Sequence, residues 1–310
     1  MKKIFIDGSA GTTGLRIRER LAARTDVELL TLPEETRKDP AARKEMLNAA
    51  DAVFLCLPDD ASREAVAMIE NPNVVVLDTS TAHRTLPSWC YGFPELSAEQ
   101  AQKVKAAKRI AVPGCHASGF IALIYPLIKE GILPADASLS CTSLTGYSGG
   151  GKKMIAQYED MELDPLLEGP RQYGLTQQHK HLKEMQAITG ISRAPLFLPI
   201  VANFYSGMEV TVPLFADQLV DGKTVEDVKA AYARAYNTPL LSYVENADEE
   251  GFLSSTALSE KDSMQISVHG NGERILLVAR YDNLGKGASG AAIECLNLVL
   301  GTDPYLGLEL

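Results

Sequence analysis

The residue types best suited to chemistry gather around one thiol. Pro113-Gly114-Cys115-His116-Ala117-Ser118-Gly119 lies where an apolar strand, 109–112, turns into an apolar helix spanning roughly 117–130. The first turn of a helix carries unpaired N–H groups and a partial positive charge, both of which favour thiolate over thiol. Gly114 permits the tight turn and leaves the sulfur uncovered. Further along, Gln177-Gln178-His179-Lys180-His181-Leu182-Lys183-Glu184-Met185 holds two of the five histidines. Imidazole exchanges protons near neutrality, so His179 and His181 are the candidate acid–base partners of Cys115. On a helix, Glu184 could reach back and orient one of these rings. The H-x-H spacing has no third metal ligand near it, and no metal is expected. His83, His116 and His269 read as structural or exposed, with His116 set apart because it adjoins Cys115.

Four other segments have composition suited to ligands. Gly8-Ser9-Ala10-Gly11-Thr12-Thr13-Gly14 follows an N-terminal strand and opens a helix. In that context glycines let backbone N–H groups approach a pyrophosphate. The spacing is G-x-x-G-x-x-G, and Gly8, Ser9, Gly11, Thr12, Thr13 and Gly14 are the candidate cofactor contacts. Glu28 is at the distance expected for binding ribose hydroxyls, but it falls early in its strand. Arg37 and Lys38 follow that strand and could meet a 2′-phosphate, while Glu34 and Glu35 argue the other way; the balance leans to NADP. Asp78-Thr79-Ser80-Thr81-Ala82-His83-Arg84 caps an apolar strand, and Arg84 offers a fork for carboxylate or phosphate. The small residues of 145–151, followed by Lys152 and Lys153, suit a loop around an anionic substrate. Asp282-Asn283-Leu284-Gly285-Lys286-Gly287 opens the last helix, where Asn283 could cap.

These residues need a frame to hold them. Strands over 3–6, 27–32, 52–57 and 74–78 alternate with helices over 14–23, 41–49 and 62–69, which predicts a Rossmann-type, doubly wound parallel sheet. Ligands bind at the carboxyl ends of such strands, where Gly8, Pro58 and Asp78 fall. After Cys115 the pattern changes to strands over 138–146, 194–200, 207–215, 264–269 and 274–281, as in a mixed sheet, with helices over 225–236 and 288–300. The expected division is a dinucleotide-binding domain, 1–114, completed by 285–310, and an α+β catalytic and oligomerisation domain, 115–284. With 45% hydrophobic and 23% charged residues the chain has ordinary globular composition. Its net charge of −10 gives no general attraction to nucleic acid or anionic membrane. Five scattered cysteines fit free thiols in a reducing, cytoplasmic setting. Asp7 comes too early for a signal-peptide core, and no run of about 18 apolar residues exists.

Taken in order, Gly8–Gly14, 78–84, Pro113-Gly114-Cys115, 146–151, 179–184 and 282–290 resemble the N-acetyl-γ-glutamyl-phosphate reductases of arginine synthesis, in their shorter type 2 form. The resemblance runs across nearly the whole chain. It implies an NADP-binding domain followed by a catalytic domain like that of glyceraldehyde-3-phosphate dehydrogenase, in a homo-oligomer, dimer or tetramer. It also implies a cysteine thioester at Cys115, with His179 as acid and base and His181 as the next candidate. Ser148, Gly149 and Asn283 would then join the cofactor contacts, and Arg84, Lys152, Lys153 and Glu184 the substrate contacts. Long forms of the family read Cys-Tyr-Pro-Thr where this chain has Cys115-His116-Ala117-Ser118. They read His-Arg-His-x-Pro-Glu where it has Lys180 and Lys183. Aspartate-semialdehyde dehydrogenase, or a lysine-pathway acyl-phosphate reductase, shares the plan and is the nearest alternative. A non-catalytic, dinucleotide-binding redox regulator is the alternative from another class.

Overall fold

Side-chain alternation along short apolar strands explains the first of two sheets. In β1 (Lys2–Asp7), Ile4 and Ile6 face one core while Phe5 faces another. The same two-sided burial recurs in β3 (Ala52–Leu55) and β4 (Val75–Asp78), where Phe54 and Leu77 oppose Val53, Leu55 and Val76. A strand buried on both faces needs helices on both faces, which is the doubly wound arrangement. The computed structural model describes all 310 residues, and this sheet belongs to a unit made of 1–94, 98–113 and 288–308. Its strand order is β2-β1-β3-β4-β6-β5, all parallel, with β2 at Val27–Leu30, β5 at Cys90–Tyr91 and β6 at Arg109–Ala111. Helix α1 (Thr12–Ala22) buries Ile17 and Leu21, four residues apart. Helix α2 (Pro40–Ala49) starts with Pro40 after Asp39, whose carboxylate accepts the Ala42 N–H at 2.8 Å. Helices α3 (Asp59–Met68) and α4 (Ala98–Ala106) complete this run.

Some boundaries differ from the sequence reading. The second strand ends at Leu30, ahead of Pro33, which has no N–H to donate and biases its predecessor. The fifth strand has two residues, too few to show a period. Helix α4 buries only Val104, so its sequence carries no apolar stripe.

The second unit, 95–97, 114–287 and 309–310, holds a mixed seven-stranded sheet. It begins with α5 (Cys115–Lys129), followed by β7 (Ser140–Gly146), α6 (Gly151–Tyr158), β8 (Arg171–Gln172), α7 (His181–Thr189), β9 (Leu196–Ala202) and β10 (Met208–Phe215). Then come α8 (Val225–Ala235), β11 (Leu241–Tyr243), β12 (Met264–Gly270) and β13 (Arg274–Tyr281). The strand order is β11-β12-β13-β10-β7-β9-β8. Helix α5 is apolar nearly all round, as expected of a helix enclosed by neighbours. Pro126 lies inside it and cannot donate to the Ala122 carbonyl four residues back. The Tyr236 hydroxyl supplies that missing bond at 2.7 Å, and Tyr232 bonds the adjacent Leu123 carbonyl at 2.6 Å. Burial pushes both phenols well above their ordinary pKa, so they remain donors. The chain ends in α9 (Gly290–Leu300), which belongs to the first unit and packs on α4, α1 and β4 there. No helix is long and apolar enough to cross a membrane.

Candidate active site

Cys115 is the first residue of α5, and Gly114 is its N-cap in an extended conformation with no side-chain cap. The first-turn N–H groups therefore depend on other partners. One comes from α7, where the buried Glu184 carboxylate accepts the Gly114 N–H at 2.8 Å. A second tie comes from β13. The Tyr281 hydroxyl donates to the Cys115 carbonyl at 2.6 Å and accepts the Gly119 N–H at 3.0 Å. A phenol thus stands inside what would otherwise be a direct helical bond between 115 and 119. Only glycine fits at 119, because a Cβ there would lie 2.7 Å from both the Tyr281 oxygen and a Val210 methyl.

The Cys115 side chain is partly exposed and in no disulfide. The other thiols have different surroundings. Burial pushes Cys56 up to about 12 and also raises Cys141 and Cys90. Cys295 is buried and donates to the Gly92 carbonyl.

Three histidines gather beside this turn. The rings of His179 and His181 are 4.7 Å apart, and His116 lies 5.7 and 5.6 Å from them. Phe197 closes the group, 5.4 Å from His116 and 5.1 Å from His179. His179 Nδ1 accepts the His181 backbone N–H at 3.2 Å, so the neutral ring carries its proton on Nε2. Burial first, and the charge of Lys180 second, lower the His179 pKa below the ordinary imidazole value. His116 is buried, with Nδ1 2.7 Å from the Ser143 hydroxyl and Nε2 2.6 Å from the Tyr173 hydroxyl. Burial, then His179, push its pKa down to about 3. Sequence reasoning missed Ser143, Tyr173, Phe197 and Tyr281. The one available signal was that His116 adjoins the thiol.

Other expected contacts sit differently. Glu184 is 2% exposed, and one of its carboxylate oxygens is engaged by the turn that carries Cys115. Arg84, in the first unit, is also buried. Its Nε donates to the Val112 carbonyl and its Nη2 to the Thr79 carbonyl, both at 2.9 Å, so the expected ligand fork is turned onto backbone. The same corner holds Asp78, which accepts the hydroxyls of Ser62 and Ser80 and pairs with His83 at 2.6 Å, with Trp89 stacked on that imidazole. Lys152 and Lys153 are exposed on α6. Arg37 is exposed and pairs with Glu34 at 2.7 Å. Ser148, Gly149 and Asn283 do meet in the second unit. Asn283 Nδ2 donates to the Ser148 hydroxyl at 2.9 Å and its Oδ1 accepts the Gly207 N–H at 3.0 Å. A Cβ on Gly149 would lie 3.3 Å from Asn283 Nδ2.

In the first unit, the loop after β1 is closed by a 3.1 Å bond from Gly11 N–H to the Gly8 carbonyl. Gly8 has a φ of +86°, and a Cβ there would come within 2.3 Å of the Cys56 carbonyl. A Cβ on Gly14 would come within 2.6 Å of the Gly8 carbonyl. The α1 start that follows has no acidic residue in its first turn and no side-chain cap. These features fit a pyrophosphate at the carboxyl end of β1, with Ser9, Thr12 and Thr13 alongside.

A doubly wound nucleotide-type unit, followed by a mixed-sheet unit whose first helix opens on a cysteine, defines the semialdehyde dehydrogenase class of oxidoreductases. Residues 32–104 match the family model described as semialdehyde dehydrogenase, NAD binding domain, and 115–283 match that described as semialdehyde dehydrogenase, dimerisation domain. Among solved structures, aspartate semialdehyde dehydrogenase II of Vibrio cholerae complexed with ASA covers 97% of this chain and 98% of its own, with a TM-score of 0.73 at 16% identity. The Candida albicans aspartate semialdehyde dehydrogenase with NADP covers 97% and 99%, with a TM-score of 0.66 at 15% identity. At these identities the likeness is one of fold. Sequence similarity is much higher to the N-acetyl-γ-glutamyl-phosphate reductases of Sinorhizobium medicae, 48% over 96% of this chain and 98% of that one, and of Rhizobium etli, 48% over 97% and 99%. The chain belongs to the N-acetyl-γ-glutamyl-phosphate reductase family.

Proposed function

We propose that this chain reduces N-acetyl-γ-glutamyl phosphate to N-acetylglutamate 5-semialdehyde with NADPH, releasing phosphate, through a thioester on Cys115. The observation that carries the reading is the position of Cys115 at the start of α5, next to His116, whose ring groups with those of His179 and His181. The Cys115 thiolate attacks the acyl carbon, the C–O bond to phosphate breaks, and a C–S bond takes its place. When bound, NADPH supplies the hydride that converts the thioester carbon to the thiohemiacetal level. Collapse of that alkoxide re-forms the carbonyl and returns the electron pair to sulfur as thiolate.

Both stages place negative charge on the former acyl oxygen, and neither needs a proton on the leaving sulfur. A fixed hydrogen-bond donor at that oxygen is what the chemistry requires. His179 fits that need as a neutral ring with Nε2–H, a refinement of the acid–base role expected from sequence. His181 is the second candidate, and the Cys115 and His116 N–H groups of the first helical turn are further donors. Gly8, Ser9, Gly11, Thr12, Thr13 and Gly14 would hold the pyrophosphate. Arg37 would exchange Glu34 for the 2′-phosphate, and Ser148, Gly149 and Asn283 would be further cofactor contacts. Lys152 and Lys153 remain the exposed cations for the substrate's anionic groups. In this reading residues 1–114, completed by 285–310, form the NADP domain and 115–284 the catalytic domain, in the cytoplasm.

The substrate is tested by running the reaction backward. Semialdehyde, phosphate and NADP should give phosphate-dependent NADPH formation with N-acetylglutamate 5-semialdehyde. Aspartate semialdehyde should be used at least about 100-fold less well in kcat/KM, given a shorter chain and a charged amine in place of the amide. Equal use of both would contradict the assignment.

We also propose a homodimer built on the open face of the second sheet. Strand pairing sets Ser140 beside Leu196, and Pro213 beside Leu276. Leu196, Leu276 and Phe215 are 65%, 40% and 61% exposed, a row of apolar side chains unlike ordinary surface. Leu276→Lys should shift the chain toward monomer in sedimentation velocity at micromolar concentration. An unchanged sedimentation coefficient would remove this face from the interface.

A further inference from the structure

We propose that Arg171 determines substrate specificity by binding the carboxylate at the far end of the acyl chain. The inference rests on the reaction argued above, and it assigns a residue outside the segments whose composition suits ligands.

Strand register places Arg171 next to the histidine group. Ser143 of β7 pairs with Pro199 of β9, and Tyr173 continues β8 by donating its N–H to the Pro199 carbonyl at 3.0 Å. Paired residues share a face of the sheet, so Ser143, Pro199 and Tyr173 form one row. This row carries both hydroxyl partners of His116, Ser143 at 2.7 Å from Nδ1 and Tyr173 at 2.6 Å from Nε2. Two residues along the strands, Thr145, Val201 and Arg171 form the next row on the same face. Arg171 therefore starts about 7 Å from Tyr173 along the strand.

Tyr158 of α6 holds the guanidinium. Arg171 Nη2 donates to the Tyr158 hydroxyl at 3.1 Å, and Cζ lies 5.5 Å from the centre of that ring. Tyr158 is buried and packs in one cluster with Tyr147, Leu167, Val201 and Tyr173, so the residue that fixes Arg171 shares its packing with a partner of His116. A guanidinium has five N–H groups. Here one of them has an acceptor, and Nε is buried without any. Other enclosed arginines have their charge met by the protein: Arg24 by Asp26, Arg43 by Asp7 and Arg280 by Glu249. Arg171 forms no ion pair. A half-buried cation with unused donors and no counter-charge is suited to an anion.

The substrate has two anionic ends. Its phosphate is bonded to the carbon that meets sulfur and must lie beside Cys115. Its carboxylate is four bonds from that carbon. A cation one row beyond the residues that hold His116 suits the carboxylate, and the planar fork matches its two oxygens. Arg84, the fork expected from sequence, is turned onto backbone instead.

The test compares two aldehydes in the phosphate-dependent reverse reaction. One is N-acetylglutamate 5-semialdehyde, and the other is 4-acetamidobutanal, the same chain with hydrogen in place of the carboxylate. The parent should prefer the first by about 100-fold or more in kcat/KM. Arg171→Gln should lose roughly 100-fold on the first aldehyde and less than about threefold on the second, so that the preference collapses. Its KM for phosphate should stay within about twofold of the parent's, because the lost contact is to the other anion. Arg171→Lys keeps the charge without the fork, and its preference should be about tenfold below the parent's.

Equal losses on both aldehydes would mark a structural role and overturn the proposal, as would an intact preference in Arg171→Gln. A raised KM for phosphate with the preference kept would put the leaving group on Arg171 and would overturn it too. Should Arg171→Gln fail to fold, Arg171→Lys decides by the same ratio, and an unchanged preference there would overturn the proposal. A parent inactive toward N-acetylglutamate 5-semialdehyde would sink the reaction and the proposal with it. A parent active on that aldehyde, with an unselective response to loss of Arg171, would sink the proposal alone.

Discussion

Cys115→Ser is expected to abolish phosphate-dependent NADP reduction almost completely, by about 10⁴-fold or more in kcat, with folding and nucleotide binding retained. Serine fills the site with nearly the same volume, but its hydroxyl stays protonated and cannot form the acyl intermediate without a strong base. The structure lets this experiment be read cleanly. The backbone of residue 115 is fixed by bonds that do not involve sulfur: Glu184 on Gly114 N–H, and Tyr281 on the Cys115 carbonyl. The other thiols differ in kind, since burial raises the pKa of Cys56, Cys141 and Cys90, and Cys295 is buried. Activity within tenfold of the parent, measured by NADPH absorbance, would mean that the reaction does not pass through this sulfur.

His179 gives the second large effect and one with a distinctive pH signature. Losing one oriented donor to a developing oxyanion costs about 10²–10³ in kcat. His179→Asn should show a loss of that size, with the KM for cofactor little changed. His179→Gln, which can present a nitrogen near the Nε2 position, should lose less. The sign of the pH dependence follows from the lowered pKa. A ring whose pKa is depressed stays neutral as pH falls through about 6.5 and gains its proton only below that. Protonation then removes the lone pair that accepts the His181 N–H. Turnover should therefore be level upward from about pH 6.5 and fall on the acid side. A rate that declines as pH rises through 6.5 would instead identify an imidazolium proton donor and contradict the neutral-ring account.

The contrast between what sequence conveyed and what it hid has physical causes. Cys115 was legible because strand, glycine and apolar helix are consecutive, and the placement of a thiol on a helix start is a local property. The doubly wound sheet was legible for the same reason: Ile4, Phe5 and Ile6, or Val53, Phe54 and Leu55, announce burial on both faces. Partners distant in sequence were not legible. His116 finds Ser143 27 residues away and Tyr173 57 away, and nothing in a helical period tells which way residue 116 will turn. Glu184 lay close enough to His181 to suggest a carboxylate–imidazole pair. Packing of α7 on α5 brings one of its oxygens to a backbone N–H 70 residues earlier, a partner that no helical period announces. Arg84 was recognised as the end of a polar cap, but its role depends on the carbonyls of Val112 and Thr79, which only strand pairing brings within reach. Tyr236, which supplies the bond Pro126 cannot make, had no signal at all beyond the proline itself.

The covalent intermediate can be weighed directly. Parent protein incubated with N-acetyl-γ-glutamyl phosphate in the absence of nucleotide, quenched in acid and digested, should yield the Cys115 peptide heavier by one N-acetylglutamyl group, with the label lost on treatment with hydroxylamine. Finding the label on another residue, or a free Cys115 peptide while phosphate is released in stoichiometric amount, would contradict the thioester mechanism.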